Sequence, residues 1–258
     1  VRDLMAIHRD IYEGTPFDQT KNALAGPFGT PNRWSLARDY KPAEGYMPME
    51  RMIAVHQCSY VTVLQARAGM PAWIGSLAWF APDDAKTSVF TPFYAGNFKV
   101  PTAFEIGRRD RFDRNSAFWA SNFVGNWSNL NWRGMMIDIR AKQAEIENKL
   151  FADQPVIEKL ALEMSKTEPD RARVFISDYS NRVAQENYMK WWELADKLVT
   201  DYQDKLDAQG KENLQLLGRR VERMQNLIDG VLQYSRVGRT EQGEQARPRR
   251  RGPGGRSS

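Results

Sequence analysis

The sequence predicts an α+β fold. Between Arg51 and about Phe93 lie short runs of β-branched and aromatic residues separated by turn signals, and from Ser116 onward the pattern becomes helical. Hydrophobic residues make up 41% of the 258, enough for a sizeable core in one large domain or two modest ones. Strands followed by helices pack as layers, with the helices covering the sheet.

Residues 1–12 read as the end of a helix, with Leu4, Ile7 and Ile11 spaced by three and four. Gly- and Pro-rich loops follow from Gly14 to Trp34. The strand candidates are Met52 to Val55, Tyr60 to Gln65, Ile74 to Phe80 and Ser88 to Phe93, at spacings that suit consecutive antiparallel strands, with Ala81-Pro82-Asp83-Asp84 read as a turn. Helix is expected from Ala117 to Phe151, where the breakers are Gly125 and Gly134. Pro155 suits the first turn of a new helix after Asp153, and Glu168-Pro169 opens another reaching Val199. Leu214, Leu217, Val221, Met224, Ile228 and Val231 then alternate by three and four, the seam of a helix that lies along a partner.

The net charge of +5 suggests a nucleic-acid binder until it is located. From Arg236 to Ser258 there are seven Arg and two Glu, which leaves 30 basic and 30 acidic residues elsewhere. The body is neutral, and the Arg-Gly-Pro-Ser tail reads as a solvated, disordered segment, so no nucleic-acid partner is expected. No run of about 18 apolar residues offers a membrane span. Cys58 is the sole cysteine, which excludes an intrachain disulfide and a multi-thiolate metal site; with only His8 and His56 in the chain, no metal is expected.

The loops carry the most specific signal. Tyr12-Glu13-Gly14-Thr15-Pro16-Phe17-Asp18-Gln19-Thr20 and Ala25-Gly26-Pro27-Phe28-Gly29-Thr30-Pro31-Asn32-Arg33-Trp34 place Gly and Pro beside Phe, Trp, Asp and Arg, as a shaped surface does. With Cys58-Ser59-Tyr60, Ile74 to Phe80, Ser88 to Gly96, Asp113 to Trp119 and Trp191-Trp192-Glu193-Leu194, in that order, they resemble the C-terminal half of cysteine-type dipeptidases of the N-terminal-nucleophile hydrolase superfamily, the family that includes the secernins. The resemblance covers about residues 1–200. It implies an αββα sandwich, incomplete here, a dipeptide or short peptide as substrate, and acyl transfer through a thioester without a cofactor.

In such enzymes the first residue of the mature chain attacks and its α-amine is the base, because an amine of pKa near 7.7–8.0 accepts a proton at neutral pH. Val1 has no nucleophile, so the attacking cysteine is expected upstream, in a part of a longer gene product, and this fragment is expected to be inactive. Cys58 is a poor substitute: on a strand, His56 and Cys58 would share a face about 7 Å apart, too far for a thiol–imidazole hydrogen bond. A dipeptide carries an amine and a carboxylate, so its enzyme needs an anion for one end and a guanidinium for the other. Asp18, Arg33 and Arg51 are candidates of those types. For each, a turn cap or surface ion pair is the competing role.

Residues 199–240 resemble the second dimerisation helix of sensor histidine kinases, although no His follows His56 to accept a phosphate. That likeness leaves open a signalling or dimerisation module with a noncatalytic body, and a homo-oligomer. A noncatalytic relative in the manner of the secernins is the third reading. The organisation expected is therefore a dipeptidase-like part over 1–200, an amphipathic helix over 201–237 and a basic tail over 238–258.

Overall fold

The computed structural model describes residues 1–21, 25–32 and 51–205. Two compact units divide the chain, Val1–Gln203 and Asp204–Ser258, and beyond Lys205 the second lies outside the described residues. The amphipathic helix expected over 201–237, beyond Lys205, and the expected basic tail over 238–258 lie outside the described residues, as do Arg33 and Trp34.

Helix α1 (Arg2–His8) leads through loops to an antiparallel sheet of three strands, β1 (Tyr60–Ala66), β2 (Ser76–Pro82) and β3 (Thr91–Tyr94), in the order β1-β2-β3. A one-turn helix α2 (Ala72–Gly75) precedes β2, and a 3-10 turn (Ala85–Thr87) joins β2 to β3. Then come α3 (Thr102–Glu105), α4 (Ala117–Ser128), α5 (Trp132–Ser165) and a helix α6 over 169–205.

Alternation along the strands gives the sheet two unlike faces. Val63 pairs with Trp79, and both are buried with Leu77 and Ala81 on the face that meets α5, where the Trp79 ring stacks on Phe151 at 4.4 Å between centroids. The other face carries Tyr60, stacked on Phe80, and Phe80 and Phe93, which meet each other and Phe104 of α3 edge to face. Tyr60 is 61% and Leu64 77% exposed there. Helix α5 buries Trp132, Met135, Met136, Ile139, Gln143, Ile146, Glu147 and Leu150, the three-and-four spacing of a core-facing stripe. Its first turn is capped by Asn131 Oδ1, which accepts from Gly134 N at 3.2 Å.

Two part-buried ion pairs fix α5 to the rest. Arg9 forks onto Glu147 and donates to the carbonyls of Ala85 and Ser88. Arg67 forks onto Glu158, which also accepts from Tyr94 Oη at 2.8 Å and Gln154 Nε2 at 2.9 Å.

Four expectations are corrected. Met52 and Ala54 are buried, but residues 51–59 form turns and bends, because Ala54 N bonds to Asp10 O and Cys58 N to Val55 O, local and loop partners that no neighbouring strand supplies. In α1 the buried residue is Met5, with Leu4 and Ile7 48% and 50% exposed, so the helix faces the core on a side that the Leu/Ile spacing did not mark. The helical stretch from Ala117 breaks after Ser128, where Asn129 and Leu130 bond back to Asn126 O and Trp127 O. Finally, α5 runs straight through Pro155. The lost backbone bond is outweighed by packing on both sides, with Leu150 buried before it and Glu158 and Ala161 after it.

Candidate functional site

The first loop is wound around Asp18. Its carboxylate accepts from Gly14 N at 3.1 Å, Thr20 N at 2.9 Å and Thr20 Oγ1 at 2.7 Å, while Lys21 Nζ lies 3.4 Å from Oδ2. Burial works to raise this carboxyl, but the bonds from Thr20, Gly14 and Lys21 outweigh it and hold Asp18 at about 2. Sequence reasoning offered a turn cap and a substrate contact for Asp18, and three of its contacts are the turn cap's. Lys21 is largely exposed, so the fourth is a replaceable cation on an ordered anion.

The second loop closes on the start of α5. Phe28 O accepts from Arg133 N at 3.3 Å, and Thr30 Oγ1 and Asn32 Nδ2 both donate to Asn129 Oδ1, at 2.6 and 2.7 Å. Gly29 has φ +69°, and a Cβ there would lie 2.7 Å from Arg133 Nε, so the loop passes this close only with glycine. Arg33 follows outside the described residues. Arg51 is exposed, and its carbonyl accepts from Tyr12 Oη at 3.0 Å. Tyr12 O in turn accepts from Thr15, so the Asp18 loop and the Arg51 segment are tied through one tyrosine. A groove of about 200 Å³ borders the loops, lined by Glu13, Thr20, Trp132, Arg133, Met136 and Arg140.

A second charged constellation, which the sequence reading passed over as a turn, sits at the end of β2. Asp83 adopts φ +61°, a left-handed backbone that Asp tolerates better than most residues, and is 5% exposed. Its N–H bonds to Ser59 O at 2.8 Å, and its carboxylate receives only long contacts of 3.4 Å from Asn122 Nδ2 on α4. Burial pushes this carboxyl up to about 6 against the opposing pull of Asn122, Lys86 and Arg109. Beside it Lys86 is buried, bonded to Ala54 O at 3.0 Å and paired with Asp84; burial lowers its pKa well below the ordinary lysine value. Gly125 brings α4 against this turn, since a Cβ there would lie 2.8 Å from Thr87 Oγ1. One signal was available: Pro82 to Ser88 has two Asp and a Lys but no Gly or Asn, unlike an exposed turn.

His56 and Cys58 lie in the turns before β1, so the strand geometry expected for them does not apply. Cys58 Sγ donates to Tyr60 O at 3.1 Å. Burial, followed by the charges of Lys86 and Arg51, keeps the His56 imidazole below its usual pKa. Asn126 donates to Asn122 Oδ1 at 2.8 Å and so steadies the amide that faces Asp83. Among the described residues no group of three or more His, Cys, Asp and Glu is placed to hold a metal ion. No helix among them is long and apolar enough to cross a membrane.

The class that sequence and fold define together is a peptidase. A family model described as peptidase family C69 matches residues 1–145, more than half of the chain. The chain belongs to peptidase family C69, the secernin-related dipeptidase family. No curated protein matches it.

Proposed function

We propose that this chain is the substrate-recognising part of a dipeptidase that cleaves by acyl transfer from an N-terminal cysteine. The thiolate attacks the peptide carbonyl, the amine leaves, and water releases the acid from the thioester. On this reading the nucleophile is a cysteine other than Cys58, whose thiol donates to Tyr60 O. The exposed aromatic face of the sheet, with Tyr60, Leu64 and Phe80, then receives the second sheet of an αββα sandwich.

The observation that carries this reading is the family match, which takes in both Gly/Pro loops and the ordered carboxylate in the first of them. Asp18 holds the ammonium end of the dipeptide in the place where Lys21 now stands, and Arg33 or Arg51 holds the carboxylate end. A site built of fixed backbone donors around a carboxylate is preorganised: it does not reorder when the ligand arrives.

The test is an assay of free-ended dipeptides with the chain alone and with the chain joined to the residues that precede it in its gene. Hydrolysis is expected only in the longer protein, and it is lost when its N-terminal cysteine is changed to Ala. Hydrolysis by the 258-residue chain that persists after Cys58→Ser contradicts the proposal.

A further inference from the structure

A cavity of about 400 Å³ opens between α1 and α5, within the range of small-molecule sites. Its apolar wall is made of Met5, Ile11, Trp132 and Met136, all buried. Its charges are cationic: Arg2, Arg9, Lys86 and Arg140 line it against one carboxylate, Glu147.

The balance of those charges defines a ligand. Arg9 is neutralised by Glu147, Lys86 by Asp84, and Arg140 by Glu13 at the rim. Arg2 differs. Its Nη1 donates to the neutral amide oxygen of Asn148 at 2.7 Å and its guanidinium lies 4.2 Å from the centre of the Phe151 ring. Among the described residues it meets no carboxylate. The cavity therefore presents one uncompensated cation, steered by an amide and a ring, above an apolar hollow.

We propose that this cavity binds a small monocarboxylate with an apolar body, of the class of an aliphatic amino acid with its amine blocked or peptide-linked. The carboxylate pairs with Arg2, and the body lies against Met5, Trp132 and Met136. Arg2 is exposed at the mouth of the cavity, and its guanidinium's planar fork suits a carboxylate. The proposal holds whether or not the chain acts on peptides.

The test is a calorimetric titration of the 258-residue chain with N-acetylleucine and, separately, N-acetylleucinamide, which has the same body without the charge. The acid is expected to bind about three- to five-fold more tightly than the amide, as loss of an exposed ion pair implies. Arg2→Gln should abolish that preference, and Arg2→Lys should keep part of it. Met136→Trp, which fills the hollow, should weaken the acid with Arg2 intact. Equal affinity for acid and amide, no binding of either, or a preference untouched by Arg2→Gln overturns the proposal.

Discussion

Two aspartates, one in the loop over residues 14–20 and one in the turn that ends β2, expose similarly little surface but lie at different depths, and their charges are set in opposite directions. Asp18 is 6% exposed and Asp83 5%. Asp18 is wrapped by two backbone N–H groups and a hydroxyl at 2.7–3.1 Å and is held at about 2, whereas Asp83 has one amide at 3.4 Å and rises to about 6. Depth and donors decide ionisation together: Asp83 lies much the deeper of the two, so desolvation dominates there, while the close donors around Asp18 outweigh its shallower burial. The first loop is built to keep an anion ready, and the second turn to tolerate a carboxyl that exchanges its proton at mildly acid pH.

The sharpest way to break this comparison is to remove the cation beside the second turn. Lys86→Met leaves Asp84 buried without its partner and is expected to cost about 3–5 kcal/mol in denaturant unfolding. A loss below 1 kcal/mol would mean that the turn does not depend on the pair. Next in size, Gly125→Ala drives a methyl against Thr87 Oγ1 and should cost about 1–3 kcal/mol; it should also move Asn122, whose amide resonances report the shift.

The pH dependence sharpens the contrast because the two signs differ. The Asp83 carboxyl is raised, so its contribution to stability is complete below about 4 and is lost as pH rises through about 6. The Asp18 carboxyl is lowered, so its contribution is complete above about 4 and is lost as pH falls through about 2. Unfolding curves between pH 2 and 7 should show both losses; Asp83→Asn should remove the upper one and Asp18→Asn the lower.

Smaller still is Thr20→Val, which deletes one of the donors to Asp18 and should cost about 1 kcal/mol while raising that carboxyl. The smallest effect belongs to Arg108→Ala, which breaks an exposed pair with Asp110 and should change stability by less than about 0.5 kcal/mol.

The same two regions mark what the sequence made legible. The Asp18 loop was readable because its bonds are local: Gly14, Thr20 and Lys21 lie within four residues, and turn chemistry is written at that range. The three strands and the start of α6 at Pro169 followed from alternation and breakers, but not the strand ends. Ile74 and Gly75 belong to α2, β2 runs on through Ala81-Pro82, where a turn is expected, and Ser88 to Phe90 precede β3. The Asp83 turn was not readable, since Asn122 is supplied from 39 residues away by a different helix. Nor were the Arg9–Glu147 and Arg67–Glu158 pairs, which join residues 138 and 91 apart. Pro155 misled because local propensity argues for a helix start there, and packing on both sides of it carries the helix through.

The central claim is that Asp18 is a preorganised anion while Asp83 is a carboxyl near its midpoint at mildly acid pH. A carboxyl-carbon NMR titration of the chain labelled at aspartate tests it most directly. The account predicts that Asp18 titrates near 2 and Asp83 near 6, with Asp18 moving upward in Thr20→Val. Two transitions together near 4, the value of a free aspartate, would contradict it.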